Sequence, residues 1–116
     1  MSGEKLVRDG IPQLIRVSGP EPVVRIADAV EYQLLLRAKL VEEVEEFLAS
    51  DDPSELVDVL EVVFALAAHV GIDAGQLERD RQRKRAERGG FTGRTVLGGN
   101  TPAEPRTASD EAPDRQ

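Results

Sequence analysis

The chain has 116 residues, 40% of them hydrophobic and 32% charged, with a formal net charge of −7, which describes one globular domain and is too short for two. With no Cys and a single His, it excludes a disulfide framework, a thiolate metal site and a cysteine nucleophile, and it argues against a histidine-rich metal site or a Ser-His-Asp triad. Aromatics at 3% argue against an aromatic platform for single-stranded nucleic acid, and a uniformly acidic surface would repel a phosphate backbone, although the charge here is not uniform. No nucleic-acid partner is expected.

In chain order, residues 4–17 (EKLVRDGIPQLIRV) read as a lead-in segment with about two helical turns, broken by Gly19, Pro20 and Pro22. Asp28 with Glu31 has capping-box spacing. It opens a long helix to about Ala49, whose Leu36, Leu40, Val44 and Phe47 recur at helical period. Ser50-Asp51-Asp52-Pro53 is a tight break, with Asp52 as N-cap and Pro53 at the first helical position. The following helix, to about Val70, is apolar on nearly every face. That predicts a central place in a bundle. Gly71 ends it. Asp73 with Gln76 starts a basic helix to about Arg88, closed by Gly89-Gly90, and Phe91 to Leu97 read as a short extended piece. Residues 1–97 form the domain; 98–116, rich in Gly, Pro, Ala and acids, read as a disordered tail. No apolar run reaches the roughly 18–20 residues of a membrane span, and MSGEKLVRDG carries no apolar signal core. A cytoplasmic location without a membrane partner is the expectation.

Charge is segregated. Every ionisable side chain from residue 42 to 61 is acidic, whereas Arg79, Arg81, Arg83, Lys84, Arg85, Arg88 and Arg94 face only Asp80 and Glu87. Glu43 and Glu46 share a helix face, and so do Glu55, Asp58 and Glu61. The short break makes the two helices antiparallel neighbours. That register sets Glu43 level with Asp58 and Glu46 level with Glu55, two levels about 4.5 Å apart. Four converging carboxylates need basic partners or hard cations, and oxygen-only ligands select Mg²⁺, Mn²⁺ or Ca²⁺. Glu55 has a second reading as part of the Asp52 cap. Glu45 reads as a solvated charge. No P-loop is present, so phosphates would need side chains: Arg81, Lys84, Arg85 and Arg88 form one stripe, and Lys5 with Arg8 a shorter one. His69 reads as a packed or capping residue, and Tyr32 and Phe91 as core, with base stacking as the alternative.

The string Glu42-Glu43-Val44-Glu45-Glu46 followed by Glu55-Leu56-Val57-Asp58 is an EExxE…ExxD pattern. Together with KLVRDGIP at 5–12, KLVEEVEEFL at 39–48, ELVDVLEVVFALA at 55–67 and KRAERGGF at 84–91, it resembles the all-α, MazG-like nucleoside triphosphate pyrophosphohydrolases. That superfamily includes phosphoribosyl-ATP pyrophosphohydrolases and a small house-cleaning branch, and the resemblance covers about residues 4–97. It implies an antiparallel helical bundle completed by homodimerisation, or as a dimer of dimers. It also implies hydrolysis of a nucleoside triphosphate or phosphoribosyl-nucleotide between the α and β phosphates, extending to house-cleaning of non-canonical nucleotides. Carried over by position, Glu43, Glu46, Glu55 and Asp58 would hold Mg²⁺, with Mn²⁺ as substitute. Glu42 would orient water, Glu61 is a weaker extra acid, and Lys5, Arg8, Lys84 and Arg88 would bind substrate. The rival readings are a non-enzymatic helical interaction module and a nucleotide sensor without turnover.

Overall fold

The computed structural model describes residues 3–99 and Pro102. Four α-helices form, α1 (Ile11–Ser18), α2 (Ala29–Ser50), α3 (Pro53–His69) and α4 (Ala74–Arg88), and no strand appears among the described residues. None of the helices is long and apolar enough to cross a membrane. The chain divides into two units between Gly71 and Ile72, so that α1–α3 belong to the first and α4 to the second.

The aspartates before α2, α3 and α4 all cap. Asp28 accepts from Glu31 N at 2.9 Å, Asp52 from Ser54 N at 2.9 Å and Asp73 from Gln76 N at 2.8 Å. The reciprocal half of the expected boxes is absent. The Glu31 carboxylate goes to Arg25 instead, and the Gln76 side-chain oxygen accepts from Arg79 at 3.0 Å. A charged partner outcompetes a lone backbone N–H for these side chains. Asp28→Ala is expected to cost about 1 kcal/mol, read as a lower urea midpoint with unchanged slope.

Asp51, left-handed at φ 55°, and Asp52 turn the chain from α2 into α3. In the first unit these two rods are the only helices that pack together, and they bury Leu36, Val62, Ala67 and Glu43. Tyr32 meets His69 edge-on at 5.5 Å. Tyr32 lies eleven positions before Glu43 and His69 eleven after Asp58, so the contact fixes the antiparallel register expected for the acids. The central place expected for α3 is not realised within the first unit. Only α2 covers it there, and Leu56, Val57 and Leu60 remain exposed. The piece expected to be extended from Phe91 begins instead as a turn, with Arg94 N bonded to Phe91 O at 3.2 Å and Arg94 left-handed at φ 56°. Phe91 is exposed rather than core. The segment 98–116, read as a tail, lies almost wholly outside the described residues.

Ahead of α1 runs an irregular arm, residues 3–10. Arg25 clasps it. Its guanidinium reaches Glu4 at 3.0 and 3.1 Å and Glu31 at 2.6 and 2.7 Å, tying the arm to the first turn of α2. The hydrogen bonds from Arg25 hold both carboxyls below their ordinary value of 4.5. Depressed carboxylates contribute stability above their unfolded pKa and lose it as the pH falls through the folded one. The clasp is therefore expected to hold at neutral pH and to open only on acidification below 4.5. Amide exchange over residues 4–8, corrected for intrinsic rates, should rise only in that acid window. Arg25→Met should raise it at neutral pH.

Candidate functional site

The second half of α2 and the first half of α3 bring the acids together as two overlapping triads. Glu42, Glu43 and Glu46 each offer an oxygen within 4.8 Å of the others, and so do Glu43, Glu55 and Asp58. Glu43 belongs to both. It is the buried one, 6% exposed, whereas Glu46 is open to solvent and Glu55 and Asp58 are half-buried. Glu55 N bonds the backbone carbonyl of Asp52, and the Asp52 side chain is taken by Ser54, so the cap leaves the Glu55 carboxylate to the triad. Glu61 is exposed and joins neither triad. A spacing of three falls about 60° short of a full turn, so by the third member the streak has rotated away.

Crowding and burial favour the neutral form of the outer pair. The negative charge of Glu43, followed by desolvation, pushes Glu46 upward. Desolvation, followed by Asp58 and Glu43, does the same to Glu55. Three cations oppose the repulsion among the acids. Lys39 Nζ lies 3.1 Å from Glu43 Oε1 and 3.4 Å from Glu42 Oε1. Arg8 Nη2 donates to Asp58 Oδ1 at 2.7 Å, and Lys5 Nζ stands 3.8 Å from Glu42 Oε1. Glu43 Oε2 nevertheless stays buried without a hydrogen-bond partner. An unsatisfied carboxylate oxygen inside an all-oxygen cluster is suited to a hard cation, which accepts oxygen ligands and keeps waters on its remaining positions.

Lys5 and Arg8 thus both reach the acids from the arm. Lys84 and Arg88 lie on α4, in the second unit. On the same helix Arg81 is bonded to Glu78 at 2.7 and 2.8 Å, which lowers Glu78 to about 2, and Arg83 pairs with Asp80 at 3.0 Å. A groove of about 580 Å³ opens in the first unit between the arm, α1, residues 22–27 and the start of α2. Lys5 and Arg8 line it, as does Tyr32, so the cations that reach the acids also border the groove. Sequence reasoning missed Lys39, although its spacing of three and four residues from Glu42 and Glu43 was a sufficient signal. It also missed the Arg25 clasp, which joins residues twenty-one apart and leaves no local pattern.

No protein-family model matches the chain, and no solved structure matches it. An uncharacterized protein of Mycolicibacterium smegmatis is similar, with 55% identity over 47 residues, 40% of this chain and 48% of that protein. The chain thus spans about half the length of the curated relative it matches.

Proposed function

We propose that the chain is a Mg²⁺-dependent nucleoside triphosphate pyrophosphohydrolase that cleaves between the α and β phosphates, giving a monophosphate and pyrophosphate. The observation that carries this reading is Glu43, a buried carboxylate with one oxygen unpartnered that belongs to both acid triads of α2 and α3. Glu43, Glu46, Glu55 and Asp58 are the ligands in this reading. When bound, the ion supplies charge neutralisation for the phosphates and a lowered pKa for water. Glu42, steadied by Lys39 and Lys5, orients the attacking water and takes its proton. The water oxygen bonds to one phosphorus of the α–β anhydride as the bridging oxygen departs with the other. Lys5 and Arg8 hold the non-reacting phosphates. The groove beside Lys5 and Arg8 receives the nucleoside, and Tyr32 in its wall supplies an aromatic edge.

The same reading includes a homodimer. Leu34, Val41 and Leu48 are exposed at seven-residue spacing along α2, and Leu56, Val57 and Leu60 are exposed on α3. Apolar stripes of this length call for a covering partner, and a second copy presents matching ones. Isothermal titration with Mg²⁺ and a panel of triphosphates, run beside a pyrophosphate-release assay, tests the activity. The expected result is metal-dependent binding with release of pyrophosphate. Binding without product would support a sensor, and metal-independent partner binding an interaction module.

A further inference from the structure

Among the cations at the acids, Lys5 and Arg8 come from the arm, and Arg8 alone of the two makes a short bond, 2.7 Å against 3.8 Å for Lys5. Lys39 sits on the same helix as Glu42 and Glu43, within one turn of both, and is largely enclosed. Its distance to them is set by helix geometry. Arg8 comes from the arm, fifty residues from Asp58 in sequence, and makes a 2.7 Å charge-assisted bond while half its side chain faces solvent. The arm is anchored independently, through Glu4 on Arg25. The Arg8 side chain can therefore change partner without the arm leaving.

Asp58 Oδ1 cannot serve a guanidinium and a divalent cation equally, because two like charges would meet around one carboxylate. Arg8 also lines the groove, so an anionic group lying between groove and acids would come within its reach. We infer that Arg8 is an exchangeable counter-ion, bonded to Asp58 while the acids hold no divalent ion and transferred to the phosphates when ion and nucleotide arrive together. The inference rests on the pyrophosphohydrolase reading and adds a coupling to it. Arg8 opposes the metal alone and favours the metal–nucleotide chelate, so binding of each raises affinity for the other. A plain surface ion pair, which only fixes the arm, would have no such crossed effect.

Arg8→Gln separates these cases without an activity assay. Calorimetry would measure Mg²⁺ alone, then a non-hydrolysable triphosphate analogue in saturating Mg²⁺. The expected result is Mg²⁺ binding about tenfold tighter than in the unaltered chain and analogue binding about tenfold weaker, with Arg8→Lys between the two. Arg25→Met, which frees the arm but keeps Arg8, should shift both affinities in the same directions, and circular dichroism checks that each variant is folded. Mg²⁺ binding in Arg8→Gln that is unchanged or weaker overturns the exchange while leaving the metal site standing. Failure of the unaltered chain to bind Mg²⁺ with or without nucleotide overturns both.

Discussion

Glu43→Gln is expected to weaken divalent-ion binding and turnover severely while leaving the metal-free chain at least as stable as before. The two effects have one origin. Glu43 is buried between two helices, with Lys39 at 3.1 Å on one oxygen and nothing on the other. A buried polar atom without a partner costs about 1–3 kcal/mol. The amide of Gln keeps the shape, removes a negative charge from both triads, and offers an N–H₂ to carboxylates that now only repel one another. Thermal melting should therefore rise by several degrees, in proportion to the repulsion relieved. The ion loses the ligand that both triads share, so turnover should fall on the order of 10²- to 10³-fold. A residue conserving only the packing would lower both quantities together. Opposite signs in stability and activity identify a carboxylate held in place for a cation.

The second large effect concerns assembly. Val41→Arg is expected to convert a dimer into a monomer and to lower the melting temperature sharply. Val41 is the middle of the exposed α2 stripe, flanked one heptad away by Leu34 and Leu48. The first unit alone encloses few apolar side chains: Leu36, Val62 and Ala67 are the buried ones. In the proposed dimer a second copy would cover the exposed α2 stripe, at an interface that for a stable dimer buries about 800 Å² on each side. A charge at its centre would have to be buried unpaired. Sedimentation equilibrium across a concentration range reads the result. A chain that sediments as a monomer before any substitution would remove the dimer from the account.

Much of this was legible in the residues because it depends on local spacing. The three aspartate caps follow from single-residue chemistry and sit where they were expected. The acids converge because a two-residue connection fixes the register of α2 against α3, and that register is arithmetic once the break is found. What escaped was non-local. The Arg8–Asp58 bond and the Arg25 clasp join distant residues through an arm with no regular structure, so no periodicity announces them. The all-round apolar character of α3 announces that its faces will be covered, but a hydrophobic pattern does not say by what, and within the first unit only α2 covers it. Glu61 was misplaced for a geometric reason, since a run of threes drifts around a helix.

The central claim is that the two triads are a divalent-cation site with Glu43 at its centre. Crystals grown with Mn²⁺ and a non-hydrolysable triphosphate analogue, measured at the manganese absorption edge, test it directly. The expected result is an anomalous peak within direct bonding distance of Glu43 Oε2, about 2.2 Å, with Glu55 and Asp58 or Glu46 completing its ligands. An anomalous map with no peak at the acids, and Glu43 still closed by Lys39 alone, would contradict it.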